Sequence, residues 1–106
     1  MKLRYLLALT ATLSISASAF AADDGEALYK KSGCAACHKV DSKAVGPAFK
    51  DVAAKYKDDK GAQAALELKV RNGGKGSFGA MSMPPTGKSV SDDSIKTLVS
   101  WVLSQK

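Results

Sequence analysis

The segment Gly33-Cys34-Ala35-Ala36-Cys37-His38 places two thiols three positions apart and an imidazole directly after the second thiol. On one helical turn, thiols at this spacing can add to the two vinyl groups on one side of a porphyrin as thioethers, and the next residue can present an imidazole to the iron. The small residues between the thiols let the porphyrin approach the backbone. The segment therefore predicts one covalently attached c-type haem, held by Cys34 and Cys37, with His38 as an axial iron ligand.

Three other kinds of site use similar residues. A thiol oxidoreductase of the thioredoxin type expects a strand before its C-x-x-C motif within a βαβ unit, and no strand pattern precedes Cys34. A tetrahedral zinc site needs four ligands, usually Cys and His, whereas the chain contains only Cys34, Cys37 and His38 of these types. A structural disulfide closing so short a loop restrains little chain entropy and leaves the adjacent histidine unexplained. Haem attachment accounts for all three residues.

Length and charge limit the class of protein. The chain has 106 residues, of which 45% are hydrophobic, and its net charge is +6. This length allows at most one small domain and excludes multi-domain enzymes. Small domains bury a limited fraction of their surface and often need a cofactor for stability. The positive charge is modest, scattered and without interleaved aromatic residues, which argues against nucleic-acid binding.

The N-terminal segment has the pattern of a secretory signal peptide. Lys2 and Arg4 form a short positive start, an apolar stretch diluted with Ser and Thr follows, and Ala19-Phe20-Ala21 matches a cleavage site. We therefore predict a cleaved signal peptide over residues 1–21, a single domain over residues 22–106, and export of the protein. An uncleaved membrane anchor is the alternative.

Apolar periodicity and capping residues predict an all-α fold with no strand. We expect four short helices: one near Asp24–Ser32, one starting at Gly46-Pro47 and reaching Tyr56, one over Gly61–Arg71, and one that follows the N-cap Ser91. Between them lie two long irregular segments, Cys34–Gly46 and Gly73–Val90. Because four short helices make a thin core and long loops are uncommon in small domains, the loops are expected to wrap a large apolar ligand.

Several segments together resemble those of small bacterial class I cytochromes c, of the cytochrome c-551 type. They are the attachment motif, Val45-Gly46-Pro47-Ala48-Phe49-Lys50-Asp51-Val52-Ala53, Met83-Pro84-Pro85 and the closing Trp101-Val102-Leu103-Ser104-Gln105-Lys106. The resemblance covers nearly all of residues 22–106. It implies a helical monomer wrapped around one covalent haem, acting as a periplasmic electron carrier and not as an enzyme.

The same resemblance assigns the sixth iron ligand to Met83. The two following prolines stiffen the chain that carries the Met83 thioether, while Met81 is a chemically equal competitor. The resemblance also implies that the Pro47 carbonyl accepts a hydrogen bond from the His38 ring. With both axial positions filled, electrons would pass without a bond to substrate. The alternative is an open iron, which would indicate a peroxidase-like enzyme or a gas binder.

Some positions depart from the family pattern. Phe78 stands where relatives often have Trp, Thr86 stands where they often have Asn, and Gly87-Lys88 resembles a short insertion. An indole hydrogen bond to a haem propionate is therefore lost at Phe78. Lys69 and Arg71 are candidates to pair with propionates, although solvated helix residues are the alternative.

A basic rim would suit acidic redox partners. Five lysines fall in or beside the segments expected to border the haem: Lys39, Lys43, Lys50, Lys75 and Lys88. Such a rim would steer encounters electrostatically, although a generally solvated surface is an equal alternative. The expected partners are a quinol-oxidising complex and a terminal reductase or oxidase.

Overall fold

The computed structural model describes residues 20–106, with side chains described from Asp24 onward. In this range it contains four α-helices and one short 3₁₀ turn, and no strand. They are α1 (Phe20–Lys31), the 3₁₀ turn (Cys34–Ala36), α2 (Phe49–Lys55), α3 (Ala62–Asn72) and α4 (Asp92–Leu103). The predicted all-α fold is confirmed. Most of the predicted signal peptide, residues 1–19, lies outside the described residues.

The helix starts differ from the prediction at α1 and α2. The described part of α1 already includes Phe20, four residues before the predicted Asp24, and Ala21 and Ala22 in this stretch are strong helix formers. α2 begins at Phe49, and the expectation of a start at Gly46-Pro47 is wrong. Its first two backbone amides bond to the two residues that directly follow His38. Phe49 N donates to Lys39 O over 2.9 Å, and Lys50 N donates to Val40 O over 3.1 Å.

α4 is the centre of the core. Its buried face consists of Ile95, Leu98, Val99, Trp101 and Val102. This face packs against α1, α2 and α3. The indole of Trp101 lies 5.4 Å from the Tyr29 ring of α1 and 5.7 Å, edge to face, from the Phe49 ring of α2. The predicted N-cap is confirmed, since Ser91 Oγ accepts a hydrogen bond from Ser94 N over 3.1 Å.

The two irregular segments close the domain on one side of this core. One runs from the 3₁₀ turn to Ala48, and the other runs between α3 and α4. In the part of the chain that the structure describes, no helix has both the length and the apolarity to cross a membrane. The helices thus form a thin layer that leaves room between the two irregular segments.

Candidate cofactor site

A large cavity lies between the two irregular segments. It holds about 1030 Å³ of empty space, part of it open to solvent. Its wall combines residues 37–49, the inner faces of the helices, and residues 74–84, and its apolar members include Val52, Leu66 and Val70. The apolar lining of this cavity suits a large, mainly apolar group.

The two cysteines flank a single 3₁₀ turn. Cys37 N and His38 N both donate to Cys34 O, over 3.1 and 2.9 Å. Both cysteines are half-buried free thiols. Cys37 lines the cavity, whereas Cys34 packs against the core cluster at the beginning of the turn. Burial raises the pKa of the Cys34 thiol, and a backbone hydrogen bond offsets this only in part. The turn therefore brings both thiols and the imidazole to one short stretch of backbone.

His38 is held in one orientation. Its Nδ1 lies 2.9 Å from the Pro47 carbonyl oxygen, and because a carbonyl only accepts, Nδ1 carries the proton. The Nε2 lone pair is then available to a metal ion. The imidazole stacks on Phe49, with ring centres 5.0 Å apart and planes 19° apart. The Tyr29 hydroxyl donates to the His38 carbonyl over 2.6 Å, so both the ring and the backbone of His38 are fixed.

Gly46 makes this orientation possible, a role that the residue pattern did not predict. A Cβ at Gly46 would overlap the His38 imidazole at Cε1, closer than real Cβ contacts. Gly46 N also donates to Cys37 O over 2.7 Å. The sequence offered one signal, a glycine directly before the proline whose carbonyl binds the ring.

Met83 is anchored by its backbone on the other wall. Met83 N donates to Gly74 O over 2.8 Å, and Gly74 N donates to Met83 O over 2.9 Å. Gly73 has a left-handed φ of 72°, and a Cβ there would overlap the Met83 carbonyl oxygen. Both Met81 and Met83 line the cavity, but Met81 is 70% exposed whereas Met83 is half-buried.

The charged residues are distributed unevenly. Of the five lysines assigned to a basic rim, Lys43 and Lys75 line the cavity. Lys50 pairs with Asp41 over 2.6 Å, and the remaining two, Lys39 and Lys88, are exposed and do not line it. Only two of the five lysines that the sequence predicted for the basic rim therefore line the cavity.

The positions that depart from the family pattern have local partners. The Phe78 ring lies 4.5 Å from the Lys55 ammonium and 6.4 Å, edge on, from the Tyr56 ring. Of the two candidates to pair with propionates, Lys69 lines the cavity. The Arg71 side chain does not line the cavity; its guanidinium pairs with Asp92 over 2.8 Å, and at 24% exposure it is not a freely solvated helix residue.

The side chains fit a c-type haem. The two thiols supply attachment points, the protonated Nδ1 of His38 leaves Nε2 as a nitrogen donor, and two thioethers lie on another segment of the wall. The surrounding wall is mainly apolar, as a porphyrin requires. The fold also excludes the thioredoxin hypothesis, because residues 20–106 contain no strand before the C-x-x-C motif.

Comparisons with known proteins agree with this site. The family model described as Cytochrome c matches residues 22–106. The chain is 50% identical over 106 residues to cytochrome c-551 of Pseudomonas aeruginosa, covering 100% of both chains. It is 48% identical over 84 residues to cytochrome c-551 of Azotobacter vinelandii, covering 79% of this chain and 100% of that one. It also resembles the crystal structure of cytochrome c552 of Nitrosomonas europaea, with a TM-score of 0.73 and 46% identity, covering 76% of this chain and 99% of that one.

Proposed function

The chain belongs to the cytochrome c family, and from that premise we propose that it is a soluble periplasmic electron carrier whose haem iron is ligated by His38 and Met83. Family membership gives the chain one covalently bound haem c and makes it a small electron-carrier cytochrome, not an enzyme. The observation that carries the finer proposal is the placement of His38 and Met83 on two different segments around one cavity.

The chain's residues have distinct roles in this proposal. Cys34 and Cys37 hold the haem through thioether bonds, and Pro47 O keeps the His38 ring in the tautomer that binds metal. When bound, the haem supplies one-electron chemistry between ferrous and ferric iron. With His38 and Met83 both as iron ligands, oxygen or peroxide would find no open position on the iron. Electrons would then pass through the exposed edge of the site without bond formation.

Two features of the site favour the reduced state. A methionine thioether is a soft ligand that stabilises ferrous iron relative to a second nitrogen ligand. The apolar side chains of Val52, Leu66 and Val70 line the cavity, and the low local dielectric that they provide would disfavour the more highly charged ferric centre. Both effects raise the reduction potential.

Export is the second part of the proposal. The positive start, apolar stretch and Ala19-Phe20-Ala21 pattern support removal of residues 1–21 as a signal peptide and leave a domain over residues 22–106. The family match begins at residue 22, next to the proposed cleavage site. The mass of the exported protein, with one haem attached, tests the cleavage position directly.

The visible spectrum tests the axial ligation. We expect the oxidised and reduced protein, exported with haem-maturation machinery, to give sharp low-spin spectra that carbon monoxide leaves unchanged. A high-spin spectrum that responds to carbon monoxide would indicate an open iron and favour the peroxidase-like or gas-binding alternative. The absence of haem bands would favour a thiol function instead.

The positive charge at the cavity edge supports a proposal about where redox partners dock. We propose that a quinol-oxidising complex and a terminal reductase or oxidase dock a monomer at the cavity edge, where Lys43 and Lys75 lie. Steering by these lysines predicts that electron transfer to an acidic partner slows as salt rises from about 10 to 150 mM, because the Debye length falls from about 30 to 8 Å.

Variants separate local steering from net charge. Stopped-flow measurements should show a lower association rate for Lys75→Ala than for Lys30→Ala, which removes a charge from α1 outside the cavity wall. Equal rates for the two variants, or a rate that does not respond to salt, would count against docking at this edge.

A further inference from the structure

The C-terminal part of the loop that carries Met83 is fastened to α3 by one side chain. We call residues 73–90 the distal loop. We infer that Arg71 is a positioning residue that holds the distal loop so that the Met83 thioether resists displacement by external ligands. This inference rests on the proposed function, because it takes Met83 as an iron ligand.

All three guanidinium nitrogens of Arg71 are engaged. Nη2 donates to Val90 O over 2.7 Å, and Nη1 donates to Gly87 O and Thr86 O over 3.2 and 3.4 Å. Nε and Nη2 donate to Asp92 Oδ1 over 3.2 and 2.8 Å. The side chain is only 24% exposed. Arg71 thus joins α3 to the end of the distal loop and to the first turn of α4.

A short, stiff connection links these contacts to Met83. Thr86 N donates to Val70 O over 3.1 Å, so Thr86 is attached to α3 through both its amide and its carbonyl. Only Pro84-Pro85 separates Thr86 from Met83, and proline rings fix φ at both positions. On its other side, Met83 is paired with Gly74. Met83 is therefore held from both directions, and Arg71 supplies most of the contacts on the C-terminal side.

The carbonyl contacts matter more than the ion pair. The Asp92 side chain is 93% exposed, and exposed ion pairs contribute little to stability. The three carbonyl oxygens are reached by a planar guanidinium with several fixed donors, which a lysine ammonium cannot reproduce. We therefore expect Arg71→Ala to have the largest effect, Arg71→Lys a smaller one, and Asp92→Asn almost none.

Imidazole binding to the oxidised holoprotein tests this order. Imidazole replaces the thioether on the iron without a change of oxidation state, and the visible spectrum follows the exchange. We expect the apparent affinity to rise about tenfold in Arg71→Ala and about threefold in Arg71→Lys, because hydrogen bonds from a charged group that restrain the loop are lost. Lys50→Ala, which removes the Asp41 ion pair on the other side of the site, is the matched control and should bind imidazole as the wild type does.

The outcomes separate the inference from the proposed function. If Met83→Ala and the wild type bind imidazole equally, Met83 is not the ligand and the proposed ligation fails. If Met83→Ala binds more tightly while Arg71→Ala and Arg71→Lys match the wild type, only the role of Arg71 is overturned. An equal rise in Lys50→Ala would overturn it as well, because the effect would then be general. Should Arg71→Ala not fold, Arg71→Lys alone decides.

Discussion

Replacing Met83 with alanine is expected to lower the reduction potential by roughly 0.2–0.4 V, a large part of the roughly 0.8 V that axial ligands span, and to open the iron to carbon monoxide. The physical reason is the loss of the soft thioether that favours ferrous iron. The Met83 backbone is paired with Gly74 on the cavity wall, so the shortened side chain cannot be replaced by a small shift of the chain. Redox titration and the spectrum under carbon monoxide measure the two effects.

Met81→Ala is the matched control. Met81 also lines the cavity but is 70% exposed. Removing its side chain is expected to leave the potential and the spectrum close to those of the wild type. If Met81→Ala opens the iron and Met83→Ala does not, the ligand assignment is wrong. If neither variant responds to carbon monoxide, another group fills the sixth position.

Gly46→Ala is expected to disturb the His38 side of the site. The added Cβ would overlap the imidazole at Cε1, while the ring is confined by Phe49 and by the Pro47 carbonyl. Relief requires the ring to turn or the segment to shift, and such overpacking costs about 1–3 kcal/mol. We expect a lower yield of holoprotein, a lower free energy of unfolding and an altered potential, measured by haem content, denaturant titration and redox titration.

Gly87→Ala is the control for this substitution. A Cβ at Gly87 would have its nearest contact at 3.9 Å, with Ser89 Oγ, and the residue has no left-handed φ. Its free energy of unfolding should stay within about 0.5 kcal/mol of the wild-type value. Wild-type stability and potential in Gly46→Ala would show that the imidazole does not occupy this position.

The sequence was informative where local chemistry decides the outcome. The spacing of Cys34, Cys37 and His38 predicted the covalently bound haem that family membership supports, and the Ser91 cap and the apolar periodicity of α4 were visible as residue patterns. The start of α2 was not predictable in this way. Its first amides bond to Lys39 O and Val40 O, and the carbonyl of Pro47 is taken by His38. These are contacts between separate segments, which local propensity does not encode.

The roles of Gly46, Gly73 and Arg71 were not predicted for the same reason: each depends on a contact between separate segments. Gly46 and Gly73 marked helix boundaries in the sequence, but their need to be glycine comes from His38 and Met83 packing against them. Arg71 was considered as a propionate partner or a solvated residue because its true partners are mostly backbone carbonyls well downstream. A carbonyl is present at every position of a chain, so it leaves no signature that distinguishes one acceptor from another.

The contact between α1 and α4 has a topological consequence. When Tyr29 and Trp101 meet, the first and last helices of the described chain are joined, and every residue that lines the cavity except Val102 lies in the chain between Tyr29 and Trp101. Closing so long a ring costs entropy that grows only with the logarithm of its length. Once the two helices are joined, fewer backbone conformations are accessible to both irregular segments. The packing of α1 against α4 therefore reduces the conformational entropy that the two irregular segments lose when they enclose the cofactor.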